Sequence, residues 1–398
     1  RMGTFTPQQL LQRLPRRFDL LGGDGQTRDR QSTLRATIDW SWRSLTSPEA
    51  AVLAQCAVFR GGFTIEAAEA VVSLSHFEDP PAVMEALLTL RSKSLIRSYY
   101  PRGDEADPRY GLYESIREYA FETLQGTPIE RSARERHTRF FLELGSQLAI
   151  TADGNVEQLD WLELERDNFY AVFHRAVEAK EPGPRALLAI AALDPLLTLR
   201  GPFSHHLGMI EAAMERLGSD PSAHAAAFEL RGRARQARGK TVEAGEDYAQ
   251  MLSLARQLSD PALEGRAEYY CGLVARLRGQ RRDAQGHFER ALMLLREVRD
   301  RRMEGRTLSS LAVLLQEMNL ENDATAAYQR ALEMHRSVGD RRYEGITLAN
   351  LGVLQQAQGL LSQARQQYEQ ALAIHRELGN RRSEGISHIN LGDLNRDL

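Results

Sequence analysis

Residues 341–372 read RRYEGITLANLGVLQQAQGLLSQARQQYEQAL, and forty residues earlier 301–332 read RRMEGRTLSSLAVLLQEMNLENDATAAYQRAL. The two segments share Arg-Arg, Glu-Gly, a tyrosine and the alanines around it. Carried outward, the same step links Ala244, Ala284, Ala324 and Ala364. It links Tyr248, Phe288, Tyr328 and Tyr368, then Ala291, Ala331 and Ala371, and the Glu-Gly pairs ending at Gly265, Gly305, Gly345 and Gly385. A fixed period of this size marks a solenoid, in which each unit buries its apolar face only against its neighbours. Within one unit, Gly272, Ala284, Phe288 and Ala291 have the spacing of contacts in a helix pair. The small residues let two helices approach, and the ring at 288 fills the gap beside them.

This pattern resembles the tetratricopeptide repeat in a 40-residue form. The resemblance spans three full units, a weaker one at 226–265 and a truncated one at 386–398. It implies antiparallel helix pairs stacked into a right-handed superhelix over 226–398.

The chain has 398 residues, which suggests two or three domains. Its net charge of −3 gives no global attraction to nucleic acid or to an anionic membrane. Cys56 and Cys271 each sit in an apolar helical pattern, so two free, buried thiols and a reducing, cytoplasmic setting are expected. No apolar run has the length of a membrane span, and no signal peptide is visible. A chain opening on Arg1-Met2 and stopping inside a repeat reads as part of a longer polypeptide.

Residues 1–30 carry Leu10, Leu11, Leu14, Phe18, Leu20 and Leu21, then Gly22-Gly23-Asp24-Gly25. They read as the remnant of an upstream helical domain, and the glycines as a turn, because no Lys-Ser/Thr pair follows. Residues 31–125 read as a compact unit. Leu34, Ile38, Trp42 and Leu45 share a helical face. Ser47-Pro48-Glu49 opens a helix running over 50–59, and Thr64 caps the next. Residues 95–100 and 109–113 read as two short strands around a polar loop, and a helix follows over 116–124. Three helices and a two-stranded wing make a winged helix.

The segment from Thr33 to Ser41, with Ala57-Val58-Phe59, Ser94-Leu95-Ile96 and the run from Tyr110 to Ala120, resembles the winged helix of bacterial STAND-type signalling NTPases of the NB-ARC-like group. Residues 130–222 read as an irregular helical linker, and its run from Trp161 to Asn168 resembles the segment preceding the repeats in that family. Such proteins join a nucleotide-binding domain to this winged helix and to sensor repeats. The resemblance implies a position for nucleotide sensing at Tyr113, where the family often has a histidine. The phosphate loop is absent from the chain, so ATP or ADP and magnesium would bind only through an upstream domain. No cofactor, metal or catalytic residue is expected in this chain. His205-His206 are expected to be surface residues, since adjacent histidines point to different faces of a helix.

On the first helix of each unit, positions at spacing 4, 3, 4 form one stripe. The stripes are Arg302, Arg306, Ser309 and Val313, then Arg342, Ile346, Ala349 and Val353, then Arg382, Ile386, Ile389 and Asp393. Asn350 and Asn390 lie beside them. In peptide-binding tetratricopeptide proteins the first helices line the concave groove. The candidate groove residues are therefore Tyr269, Arg276, Arg302, Arg306, Ser309, Gln316, Arg342, Asn350, Gln356, Arg382 and Asn390. Arginine forks suit carboxylates, while pairing with Asp300, Asp340 or neighbouring Glu residues is the alternative for the same arginines.

No nucleophile elbow or metal motif appears, so a non-enzymatic role is expected. Two functions are open. One is a regulatory and sensor module of a STAND signalling protein, with repeats that bind a protein or peptide and with self-association in the parent. The other is a DNA-binding regulator acting through the winged helix. Residues 31–125 hold nine Lys or Arg against thirteen Asp or Glu, a balance of −4 that disfavours phosphate contacts.

Overall fold

The computed structural model describes residues 25–101, 107–151, 156–179, 181–201 and 203–397. The leucine-rich helix expected before residue 22 and the turn at Gly22-Gly23 lie outside them. The described residues form an all-α fold whose sheet is one two-stranded hairpin. The chain divides into two compact units, Arg1–Phe140 and Phe141–Leu398.

In the first unit, α1 (Gly25–Arg43), α2 (Ser47–Cys56), α3 (Ile65–Val71) and α4 (Val83–Ser92) lead into β1 (Ile96–Tyr99) and β2 (Arg109–Leu112), then α5 (Glu114–Leu124). The strands pair antiparallel, from Ile96 opposite Leu112 to Tyr99 opposite Arg109. The cap of α2 is Thr46, one residue before the expected Ser47. Its hydroxyl accepts from the Glu49 amide while the Glu49 carboxylate accepts from the Thr46 amide at 2.9 Å. A capping box needs an acid three residues after the cap, and only Thr46 has one. Thr64 caps α3 as expected. Val52, Leu53, Cys56, Phe59, Phe63, Leu87, Leu90 and Ile96 form the buried interior. Of the face expected on α1, Ile38 is buried, Trp42 is half-buried and Leu34 is exposed.

After α6 (Pro128–Thr151) the chain continues with α7 (Val156–Glu178), α8 (Arg185–Arg200) and α9 (Phe203–Met214). The regular array follows as pairs: α10 (Pro221–Gln236) with α11 (Thr241–Leu258), α12 (Pro261–Leu277) with α13 (Arg281–Glu297), α14 (Arg301–Glu317) with α15 (Glu321–Val338), and α16 (Arg341–Ala357) with α17 (Leu361–Glu377). A single helix, α18 (Arg381–Asp397), closes it.

Three periodic devices make this array. The first is a ring seated on a glycine. Phe288 and Tyr368 are fully buried, and a Cβ at Gly272 or Gly352 would stand 2.6 Å from their rings. No side chain fits there, so glycine sets how closely the helices approach. The second is an N-cap at every fortieth residue. Asp220, Asp260, Asp300, Asp340 and Asn380 each accept an amide of the helix they start. The third is the turn: Gly239, Gly279, Asn319 and Gly359 all take positive φ between the helices of a pair. Helix caps and left-handed turns of this kind are worth about 1 kcal/mol each.

Alanine substitution should therefore act with opposite signs at two helical glycines. Gly352→Ala drives a methyl into the Tyr368 ring and should cost about 2 kcal/mol. Gly286→Ala, in α13, meets only the Arg290 guanidinium, at the ordinary contact distance of 3.4 Å, and should stabilise by up to ~1 kcal/mol. Thermal melts of the two variants read the two signs directly.

Candidate functional site

The first helices of the array hold the candidate groove residues, and the structure shows what each one touches. Tyr269 is buried between helices, and burial raises its phenol above the ordinary range. Gln316 and Gln356 each accept the hydroxyl of the ring below, Tyr328 at 3.1 Å and Tyr368 at 2.9 Å. Gln236 does the same for Tyr248. The pattern changes at Phe288, which has no hydroxyl. There the corresponding residue is Arg276, and it reaches Glu317 at 2.6 Å instead.

Arg306 and Ser309 also turn inward. The Arg306 guanidinium donates to Asp340 of the next unit at 2.9 Å and lies over the Tyr343 ring, 4.2 Å from its centroid. Asp340 is fully buried. It caps α16 and accepts from Arg306 at once, joining two units. Ser309 is buried between Thr347 at 2.7 Å and His335 at 3.0 Å. The stripe Arg302, Arg306, Ser309, Val313 thus faces the following unit at Arg306 and Ser309. A stripe read at helical spacing gives a face but not what packs against it.

The other candidates lie nearer to solvent. Arg342, Asn350 and Asn390 are half-buried, Arg302 is half-buried and engaged within the fold, and Arg382 is exposed. Of the acidic neighbours, Asp300 and Asp340 serve as caps. The glutamates are taken by arginines that the stripes do not contain. Arg256 pairs with Glu264 at 2.9 Å, Arg296 with Glu304 at 2.7 Å, Arg336 with Glu344 at 2.9 Å and Arg376 with Glu384 at 3.0 Å. Each pair spans the turn between units. The arginines are about half exposed, so each pair is worth less than ~1 kcal/mol. The signal for this ladder was an Arg and a Glu eight residues apart, repeated at the period.

Buried titratable groups concentrate at the joints. Glu268 is fully buried. Burial alone would raise its pKa, but hydrogen bonds from His287 at 2.6 Å and from Arg290 hold it below the usual range. His335 is fully buried, and its Nδ1 has no hydrogen-bond partner. Burial pushes its pKa down to about 4, with Arg306 and Arg302 lowering it and Asp340 and Glu344 opposing. His375, one period on, is shifted in the same direction by burial. Cys56 is buried and Cys271 only half-buried, against the expectation that both are buried; burial pushes the Cys271 thiol up to about 12. His206 corrects the expected surface pair: His205 is exposed, whereas His206 is buried 3.4 Å from Asp194, with its pKa lowered by burial to about 4.

In the first unit, Tyr113 starts α5 and is 48% exposed, with the Arg97 guanidinium 5.9 Å from its ring centroid. Among the described residues, no group of three or more His, Cys, Asp or Glu could hold a metal ion, and no helix is long and apolar enough to cross a membrane.

The tetratricopeptide repeat model matches residues 303–377. A provisionally named HTH-type transcriptional regulator of Mycobacterium tuberculosis is 33% identical over 219 residues, covering 54% of this chain and 24% of that protein. The chain thus spans about a quarter of the length of the first curated relatives it matches. A STAND protein with a tetratricopeptide repeat sensor from Pyrococcus horikoshii aligns with a TM-score of 0.41 at 15% identity, over 89% of this chain and 63% of its own. A Rap protein complexed with competence and sporulation factor aligns with a TM-score of 0.48 at 17% identity, over 62% and 68%.

The joints make stability depend on pH. A histidine lowered from 6.5 to about 4 on folding contributes fully above pH 6.5, and that contribution is lost as pH falls toward 4. Between pH 7 and pH 5, His335 alone should cost on the order of 2 kcal/mol. Urea unfolding at the two pH values should show the loss, and His335→Gln should reduce it, leaving the part due to His206 and His375.

Proposed function

We propose that this chain is the regulatory and sensor portion of a STAND-type signalling protein, in which the repeat array captures a protein or peptide segment. The observation that carries the reading is the repeat array itself, matched to the tetratricopeptide family over 303–377. Its first helices hold polar side chains, Asn350, Asn390, Arg342 and Arg382, that are half-buried or exposed. An asparagine offers a donor and an acceptor to an extended backbone, and an arginine offers paired donors to a carboxylate. Because Arg306 is occupied by Asp340 and Arg276 by Glu317, the remaining cations set a weaker preference for acidic segments than all the candidate arginines together would.

In this reading the elements from α1 to α5 form a winged helix that relays to a nucleotide-binding domain outside the chain, with Tyr113 at the sensing position. ATP or ADP with magnesium would be bound by that domain, and the parent would self-associate when active. The module itself carries out no chemistry and works in the cytoplasm. A second reading is DNA binding by the winged helix. The name of the mycobacterial relative favours it, and the −4 balance over 31–125 opposes it.

One pair of measurements tests both. Arg342→Glu combined with Asn350→Ala should abolish co-purification of the natural partner with the full chain while leaving the helical signal unchanged. Undiminished co-purification would contradict the groove. Binding of duplex DNA that falls steeply with salt would favour the second reading.

A further inference from the structure

The turn inside each helix pair recurs with the period, but its charge does not. Residues 237–243 and 277–283 hold five cations, Arg238, Lys240, Arg278, Arg281 and Arg282, against two acids, Glu243 and Asp283. One period on, residues 317–323 hold three acids and no cation. Two of those acids are used inside the fold: Glu317 accepts from Arg276 at 2.6 Å and Glu321 from Gln358 at 3.0 Å. Among the described residues, none of the five cations is paired with a carboxylate. This sets them apart from Arg256, Arg296, Arg336 and Arg376 at the turns between units, each of which holds a glutamate.

The two basic turns adjoin. Arg278, just past the end of α12, reaches across to α11 and donates to the Val242 carbonyl at 3.4 Å. Its guanidinium stands 3.0 Å from where a Cβ on Gly245 would be. That contact lays a cation of the second pair on the first. Folding gains little from the arrangement. α13 opens on Arg281 and Arg282, where the helix dipole favours acids, whereas α15 opens with Glu321 and Asp323. Lys240, Arg278, Arg281 and Arg282 are exposed. So are two apolar side chains of the same stretches, Val242 at 59% and Leu277 at 52%. Apolar side chains rimmed by charge, with arginine enriched, are the anatomy of a protein interface. A phosphate backbone would use the cations alone and leave Val242 and Leu277 in water.

We propose that these two turns form a docking surface for a partner-protein segment in which carboxylates flank an apolar side chain. The carboxylates meet the cations, which steers and orients the segment, and the apolar side chain covers Val242 and Leu277. The surface is built from turns rather than from the solvent-facing side of the first helices, so it stands whether or not those helices capture a ligand.

The probes are two synthetic peptides, EELEELEE and EESEESEE, and a duplex DNA. Each is titrated into the full chain at the same low salt concentration and followed by calorimetry. Saturable binding of EELEELEE is expected, roughly tenfold tighter than that of EESEESEE. Arg281→Glu combined with Arg282→Glu should weaken it by at least about tenfold. The melting temperature of that variant should not fall, because acids suit the start of a helix; Arg281→Gln with Arg282→Gln should act the same way in smaller measure. Val242→Ser with Leu277→Ser should remove the preference for the leucine peptide, and Arg342→Glu should leave binding unchanged. Absence of saturable binding overturns the proposal, as does equal affinity for the two peptides. Tighter binding of the DNA than of EELEELEE, lost in the charge-reversed variant, overturns it in favour of nucleic acid. Binding lost with Arg342→Glu but kept with Arg281→Glu and Arg282→Glu overturns it by assigning the peptide to the first helices.

Discussion

An aromatic ring resting on a glycine of the neighbouring helix is the contact on which the array depends. At Gly272 and Gly352 the ring stands where a Cβ would be, so the two backbones are as close as an intervening ring permits. At Tyr328 the seat is Ala312, which is itself fully buried. That spacing decides what else can form. It brings Gln316 and Gln356 within hydrogen-bond reach of the tyrosine hydroxyls. It also brings the far ends of the helices close enough for His335 to lie against Gly305 and Ser309.

Apolar clusters run through successive pairs, and polar contacts join helices both within a pair and between pairs. Asp340 starts one helix and receives Arg306 from the previous unit. Ser309 and Thr347 bridge the first helices of adjacent units. A buried charge without its partner is costly, so these joints fix the register of one unit on the next more than they add net stability. The same joints consume polar side chains that would otherwise be available to a ligand. What remains toward solvent on the first helices is therefore a smaller set than helical spacing alone implies.

Much of this was legible in the sequence. The 40-residue step of glycine, aromatic and alanine fixed the helix pairs, because a ring and its seat must recur together. The hairpin at 96–112 followed from two short β-prone runs around a polar loop. The caps at Asp300, Asp340 and Asn380 were visible as a recurring block, yet their role was not, because Asp before Arg-Arg reads equally well as an ion pair. Partner choice was the least legible. Whether Arg306 meets solvent or Asp340 depends on the rotation between units, which no single stripe encodes. His206 was misplaced for the same reason: a helix turns adjacent histidines apart, but only packing says which one turns inward.

Native-state hydrogen exchange on the Phe288→Ala chain tests most directly whether ring contacts hold the array together as coupled neighbours. The substitution opens a cavity between α12 and α13 and should cost on the order of 3 kcal/mol. In an array where each unit is stabilised by the next, protection should fall in α12 and α13 and also in the flanking α11 and α14, with smaller effects further away. Loss of protection confined to α12 and α13, with α11 and α14 unchanged, would contradict the account.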